Sequence, residues 1–203
     1  MTQSADLNGL ARSAETALSP LFLQRWSPRA FTDETLGEAE LLRLLEAGRW
    51  APSSMNNQPW RFVYALRDTP EWGPIHASLV PFNQAWTARA AALVVLLSHT
   101  QLVSPATGAV QPNRSHSFDA GAAWMSVALE ASLTGWSTHA MGGVDFDALQ
   151  ATIGAPADYH VDAVFAVGRQ GPRDTLSAAL AEREVPSQRL PLGAIVARGR
   201  FNF

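Results

Sequence analysis

The chain has 203 residues, of which 47% are hydrophobic and 16% are charged, and its net charge at pH 7 is −3. This composition is typical of one globular domain with a sizeable core, and it excludes a disordered chain. The absence of cysteine excludes disulfides, thiolate metal sites and cysteine nucleophiles. Because no Lys/Arg-rich run is present, no nucleic-acid partner is expected.

The start of the chain, MTQSADLNGL, has no basic region followed by an apolar run, so no signal peptide is expected. The longest apolar run, AALVVLL at residues 91–97, is far shorter than the roughly 20 residues that span a membrane. We therefore expect a cytoplasmic protein without membrane contact. Residues 1–9 are expected to be disordered.

Hydrophobic periodicity predicts helices over residues 10–25, 38–50 and 71–80 and a strand over residues 61–66. The second helix is the clearest, because its apolar face repeats at spacings of three and four: Leu41, Leu44, Leu45 and Gly48. The turn that follows, APSSMNNQPWRF, carries more uncharged hydrogen-bonding groups than a connector needs.

The second half of the chain begins with a buried strand over residues 91–97 and a polar connection over residues 99–117. A long helix with a stripe of small residues is predicted next, over residues 118–134. It is followed by a strand over residues 136–141, a short helix over 145–153, a strand over 161–167 and a last helix over 176–184. The tail from Val185 to Phe203 is apolar enough that it must pack on a surface. This order predicts four or five strands with helices covering the sheet.

Several reaction classes lack their motifs. No glycine-rich phosphate loop, no His-Glu-x-x-His and no Gly-x-Ser-x-Gly nucleophile elbow is present. What remains is a set of Arg, Asn, Gln and Ser residues that suits a polar, anionic organic cofactor. In RWSPR, Arg25 and Arg29 flank Ser27, an arrangement of donors that a phosphate dianion prefers, although two exposed arginines in a turn would have the same spacing.

Five segments taken together resemble the FMN-dependent nitroreductase family, from about Gln24 to Phe203. They are RWSPRAF, TLGEAELLRLLEAGRWAPSSMNNQPWRFV, PFNQAWTARAAALVVL, FDAGAAWMSVALEASLTGWSTHAMGGVD and AEREVPSQRLPLGAIV. The resemblance implies a single α+β domain over residues 1–203, with a mixed, mostly antiparallel sheet flanked by helices. It also implies an intertwined homodimer, in which the C-terminal arm, residues 185–203, crosses over and adds a strand to the partner's sheet.

The resemblance assigns FMN-binding roles to both ends of the chain. Arg25 and Ser27 match positions that hold the phosphate and ribityl chain, and Ser187 and Arg189 match the C-terminal phosphate-binding segment. Arg29 matches a basic position near the N1/C2 carbonyl edge of the flavin, where a cation stabilises the reduced form.

Other matching positions concern the flavin ring. Asn56 and Gln58 lie in a turn that faces the cofactor from the partner subunit, and Asn83 matches an Asn that pairs with the pyrimidine edge. The backbone of Met141, Gly142 and Gly143 matches a segment near N5, where a side chain would collide with the flavin.

The function that the resemblance implies is an oxidoreductase that takes electrons from NADH or NADPH and reduces nitroaromatic, quinone or other electron-poor acceptors by a ping-pong mechanism. The flavin N5 carries the chemistry, so no metal and no catalytic side chain is expected; His116 is a candidate proton donor. The sequence leaves the acceptor and the preferred nicotinamide open.

Two alternatives also stay open: an FMN storage or sensor protein, and a flavin-cleaving or dehalogenating relative. The loop 99–117 is expected to roof the site, and its single charged residue, Arg114, argues against the dehalogenating relative.

Overall fold

The structure, a computed structural model, describes residues 3–7 and 10–203. The strands in these residues are β1 (Gln3–Leu7), β2 (Leu10–Ala14), β3 (Trp60–Leu66), β4 (Ala92–His99), β5 (Gln101–Val103), β6 (Val110–Pro112), β7 (Ser137–Met141) and β8 (Tyr159–Gly168). The α-helices are α1 (Pro20–Gln24), α2 (Glu38–Arg49), α3 (Trp72–Ala77), α4 (Pro81–Thr87), α5 (His116–Leu133), α6 (Phe146–Thr152) and α7 (Ala178–Glu182). Short 3₁₀ turns cover Ser54–Asn56, Arg173–Thr175 and Leu192–Ala194.

The central sheet has the strand order β3-β4-β8-β7, and each of its pairings is antiparallel. This confirms the α+β class with an antiparallel sheet between helices. A mixed sheet would need a parallel strand, and none pairs with these four strands among the residues that the structure describes.

Helices cover both faces of the sheet because β4 is apolar on both of its sides. Every second residue from Ala92 to Leu96 packs toward α2 and α5, and the alternate residues from Leu93 to Leu97 pack toward α3, α4 and α6. A strand buried on both faces reads as a continuous apolar run, which is why residues 91–97 were recognisable as a strand.

The helix α2 confirms its prediction, since its buried residues are the four of the predicted apolar face. It lies close to α5, whose small residues permit the approach. A Cβ added to Gly48 would lie 2.9 Å from Val127 Cγ2 and 3.3 Å from the carbonyl oxygen of Ala123. The stripe of small residues on α5 therefore serves the packing of these two helices.

The N-terminal region differs from the prediction. The helix predicted over residues 10–25 is wrong for its first part, because residues 10–14 form β2 and pair with β1. Pro20 is the first residue of α1 and lacks the N–H that a helix running through it would need. Residues 3–7 form β1, whereas the sequence predicts disorder over 1–9; residues 1, 2, 8 and 9 lie outside the described residues.

The connection 99–117 contains the antiparallel pair β5–β6 rather than an unstructured loop. Gly108, with φ +69°, lies in the turn between these strands. In the part of the chain that the structure describes, no helix has both the length and the apolar character to cross a membrane.

Candidate functional site

The segment after α1 is fixed by the distant residue Glu184. Its Oε1 accepts hydrogen bonds from the backbone N–H groups of Arg29 (2.7 Å) and Ala30 (2.8 Å). The next residue, Phe31, is only 1% exposed. Arg25, at the start of the segment, donates from Nη1 to Ser27 Oγ over 3.3 Å. The residues from Arg25 to Phe31 are thus anchored to the rest of the chain by these hydrogen bonds and by the buried Phe31 ring.

This segment and the C-terminal arm enclose a cavity of about 300 Å³. Its described lining contains five guanidinium groups and no carboxylate: Arg12, Arg25, Trp26, Ser27, Arg29, His139, Arg183, Val185, Ser187 and Arg189. We call it the arginine cavity. The structure therefore brings together the five residues that the sequence assigned to phosphate, ribityl and N1/C2 contacts.

The arginines in this cavity are crowded. Burial lowers the pKa of Arg25, and the charge of Arg189 lowers it further. Burial also lowers the pKa of Arg12, with additional contributions from Arg189 and Arg25. For Arg29, burial again lowers the pKa, while the Glu184 carboxylate acts in the opposite direction. Because guanidinium groups stay charged in proteins, the cavity is a strongly positive site that favours an anion.

His139 forms one wall of the arginine cavity and is neutral at pH 7. Burial lowers its pKa to about 4; Arg29 and Arg25 lower it too, and a hydrogen bond to the Pro28 carbonyl opposes the shift. Nδ1 lies 3.0 Å from that carbonyl oxygen, so Nδ1 carries the hydrogen and Nε2 is an acceptor. The imidazole packs on Trp86 with ring centroids 4.7 Å apart.

Trp86 links this wall to Asn83 and Gly143. Asn83 accepts from Trp86 Nε1 over 3.2 Å and donates from Nδ2 to the Gly143 carbonyl over 3.0 Å. An amide oxygen has two lone pairs and an amide nitrogen two hydrogens, so each end of Asn83 keeps one position for a ligand. The predicted contact between Asn83 and a flavin therefore stays a prediction.

The two glycines after Met141 occupy different surroundings. A Cβ on Gly143 would lie 2.7 Å from Asn83 Nδ2 and 2.9 Å from Val80 Cγ2, whereas a Cβ on Gly142 would meet no atom within 4 Å. Gly143 is thus required for packing in the chain itself. Gly142 borders open space, which agrees with a backbone left bare for a ligand.

Gly143→Ala is expected to lower the free energy of unfolding by about 1–3 kcal/mol, because the added methyl group displaces Asn83 and breaks its hydrogen bond. Gly142→Ala is the matched control and is expected to change it by less than about 0.5 kcal/mol. Urea denaturation of both variants at one protein concentration measures the difference. Equal stabilities for the two variants would contradict this account of Gly143.

The polar turn before β3, which contains Asn56 and Gln58, has a strained backbone and does not line the arginine cavity. Met55, Asn56 and Gln58 all have positive φ, at 51°, 53° and 47°. Such backbone angles cost non-glycine residues about 1–2 kcal/mol each and persist where surrounding contacts impose them. The Asp119 carboxylate accepts from Ser54 N over 3.2 Å, which supplies one such contact. Asn56 and Gln58 themselves are exposed.

The sheet separates this turn from the arginine cavity. The turn meets the last residue of β4, since His99 N donates to the Pro59 carbonyl. The cavity lies beside the other end, where Leu93 pairs with Ala166 and Ala166 with His139. Six residues of a strand span about 20 Å. Within one chain, Asn56 and Gln58 therefore do not join the other predicted site residues.

The hairpin β5–β6 and His116 also lie at the turn's end of the sheet. His116 Nδ1 is 2.7 Å from the hydroxyl oxygen of Ser98, the penultimate residue of β4. The predicted roof over the site and the predicted proton donor are thus remote from the arginine cavity of the same chain.

Four ionisable residues in or beside the arginine cavity were missed by sequence reasoning: Arg12, His139, Arg183 and Glu184. Arg183 and Glu184 lie in the AEREVPSQR segment, close to the predicted Ser187. Their nearness to Ser187 in the sequence was the signal that could have identified them. His139 shares a strand face with Met141. Nothing in the sequence indicated that Arg12 belongs to the site, because the residues around it were predicted to form a helix.

The nitroreductase family profile matches residues 22–169. A solved structure of an oxidoreductase containing FMN is similar over 98% of both chains, with a TM-score of 0.92 and 41% sequence identity. A Desulfovibrio desulfuricans protein, provisionally named a nitroreductase and solved in complex with FMN, shares the fold; it covers 92% of this chain and 100% of its own, with a TM-score of 0.70 and 24% identity.

A curated relative is the Bacillus subtilis (strain 168) protein YdgI, provisionally named an NAD(P)H nitroreductase. It is 35% identical over 63 residues. This match spans 31% of the 203-residue chain and 29% of the Bacillus protein.

Proposed function

The chain belongs to the nitroreductase family, and from that premise we propose that it binds FMN and acts as an oxidoreductase. The proposed electron donor is NADH or NADPH. The proposed acceptors are nitroaromatic compounds, quinones and other electron-poor molecules, reduced in a ping-pong cycle. Because the reaction draws on nicotinamide donors, a cytoplasmic location is part of the same proposal.

The observation that carries the proposal is the arginine cavity. Five guanidinium groups surround about 300 Å³, and no carboxylate is among its described lining residues. The Nε atom of Arg29 is buried and has no partner in the described part of the chain. Buried donors without acceptors are unfavourable, so an anionic ligand such as FMN would satisfy both the charge and the hydrogen-bonding capacity of this cavity.

The residues present fit FMN as a whole. Arg25, Ser27, Ser187 and Arg189 would hold its phosphate and ribityl chain, and Arg29 would place positive charge near the flavin ring. The open space beside Gly142 would admit a flat ring against the backbone. When bound, FMN supplies the transfer of two electrons between donor and acceptor. The protein would orient it and stabilise negative charge, with no side chain required as a nucleophile.

A homodimer is the second part of the proposal. The outer edge of β3 is free of a strand partner among the described residues. Side chains in the C-terminal arm are strongly exposed, including Leu190 (69%) and Phe201 (87%). A second copy would cover the arm and pair with the free edge. It would also supply the strained turn with Asn56 and Gln58, which this chain holds far from its own cavity.

The test is a visible spectrum of the purified, desalted protein before and after addition of NADH or NADPH without oxygen. We expect a bound flavin whose visible absorbance falls by more than about half with one of the donors. A flavin that stays oxidised with both donors would contradict the reductase proposal and favour a storage protein. A colourless protein that takes up no added FMN would overturn the whole proposal.

A further inference from the structure

Arg12 brings the N-terminal hairpin into the arginine cavity. The strands β1 and β2 precede residue 22, where the match to the family profile begins. Arg12 lies in β2 and is only 6% exposed, which is rare for a charged side chain. It also lines a neighbouring cavity of about 510 Å³ between α1 and the C-terminal arm. Through Arg12, the strand β2 therefore contributes to the lining of both cavities.

The contacts of Arg12 use only part of its hydrogen-bonding capacity. Nη1 donates to the carbonyl oxygens of Leu23 (3.1 Å) and Arg25 (2.9 Å). Nε is buried and has no partner among the described residues. The carboxylates whose side chains the structure describes form no ion pair with Arg12. A buried guanidinium with a free donor, and with no counter-ion among the described side chains, is expensive unless a ligand completes it.

The neighbours of Arg12 favour an anion as the ligand. Burial disfavours the charged form of Arg12, and the positive charges of Arg189 and Arg25 lower its pKa further. Ser187 lies in the same lining and contributes a hydroxyl group without charge. Three guanidinium groups that repel one another, beside a hydroxyl donor, match the oxygens of a phosphate dianion.

We propose that Arg12 is a direct ligand of the FMN phosphate, so that the N-terminal hairpin is part of the cofactor site. This inference rests on the proposed function, since it takes FMN as the ligand. A purely structural Arg12 would only bind the carbonyl groups at the end of α1. The two roles differ in whether the residue recognises the phosphate.

The experiment compares FMN with riboflavin, which lacks the phosphate, in titrations of flavin-free wild type, Arg12→Gln and Arg12→Lys. Arg12→Gln is expected to raise the Kd for FMN about 10- to 100-fold, the usual effect of losing a charge-assisted hydrogen bond. The Kd for riboflavin should change less than about 3-fold. Arg43→Gln is the matched control, because the Arg43 side chain is 67% exposed and pairs with Glu130, outside the cavity lining.

Each of the following results would overturn the inference. If Arg12→Gln weakens FMN and riboflavin equally, Arg12 is structural. If it changes neither, Arg12 is not a ligand; both results leave the proposed function standing. If the wild type binds no FMN, inference and proposed function fail together. Should Arg12→Gln not fold, Arg12→Lys decides: a smaller loss for FMN, with riboflavin unchanged, is expected, and equal losses for the two flavins would overturn the inference.

Discussion

Glu184→Ala is expected to lower the free energy of unfolding by about 3–5 kcal/mol, the largest effect of any single substitution considered. The Glu184 side chain is 6% exposed, and its Oε1 accepts from two backbone N–H groups, those of Arg29 and Ala30. Removing the carboxylate leaves both donors without an acceptor, the Ala30 N–H in a buried position and the Arg29 N–H in a half-buried one, at about 1–3 kcal/mol each. Urea denaturation followed by circular dichroism, at a fixed protein concentration, measures the change.

Two further variants test whether the loss of stability comes from the two hydrogen bonds, from the negative charge or from a change at the end of α7. Glu184→Gln keeps a carbonyl oxygen as acceptor, so a loss of only about 1–2 kcal/mol is expected. Glu182→Ala removes an exposed carboxylate two residues earlier, at the end of α7, and is expected to change stability by less than about 0.5 kcal/mol. If Glu184→Ala and Glu182→Ala had the same stability, Glu184 would not hold the segment from Arg25 to Phe31.

The same substitution should also weaken FMN binding, because Glu184 positions the backbone of Arg29. We expect the Kd for FMN to rise about 10-fold or more in Glu184→Ala. Wild-type affinity in a destabilised Glu184→Ala variant would show that the segment keeps its shape without the carboxylate.

Elements with a strong local pattern were predictable from the sequence. The apolar face of α2 and the continuous apolar run of β4 both lie in the core as predicted. Periodicity reports whether a residue is buried, and these elements are buried in the regular manner that the pattern assumes. The α-helix from Pro81 was overlooked, although proline in its first turn is a recognised start signal.

Elements stabilised by distant or weakly patterned contacts were not predictable. The hairpin of β1 and β2 has no marked alternation, and helix propensity in residues 10–14 was outweighed by strand pairing. The contact between Glu184 and Arg29 joins residues 155 positions apart. No local pattern indicates such a partner.

The residues of the candidate site also divide into those that the sequence predicted and those that it did not. Arg25, Ser27 and Arg189 were predicted because their segments resemble a family, and the structure places them in one cavity. Arg12 and His139 depend on how β2 and β7 are arranged in space. Their burial and their neighbouring charges are visible only in the folded structure.

His139 is expected to make the flavin-free protein less stable as the pH falls from about 6.5 to about 4. Its pKa in the folded protein is about 4, against an ordinary value of 6.5. Between these values the unfolded chain binds more protons than the folded one, so the free energy of unfolding rises with pH. The contribution is complete above about pH 6.5 and is lost through this window, by about 3 kcal/mol at most.

The measurement is the free energy of unfolding at pH 7, 6, 5 and 4.5 for wild type, His139→Gln and His160→Gln. His139→Gln cannot titrate at this position, so its stability should fall by about 2 kcal/mol less than that of wild type over this range. His160 is exposed, and His160→Gln should follow the wild-type profile. Parallel profiles for wild type and His139→Gln would refute a neutral, buried imidazole in the folded protein.

Binding of FMN should reverse part of this shift, and that connects the titration to the site. His139 lines the arginine cavity, where the positive charges of Arg29 and Arg25 disfavour its protonation. A phosphate dianion in the cavity adds negative charge, which favours the protonated imidazole. The imidazole signals of His139 in nuclear magnetic resonance spectra should therefore titrate at a higher pH with FMN than without it. An unchanged or lower pKa of His139 with FMN bound would contradict this expectation, because the negative charge of the phosphate would then not outweigh the burial of the imidazole.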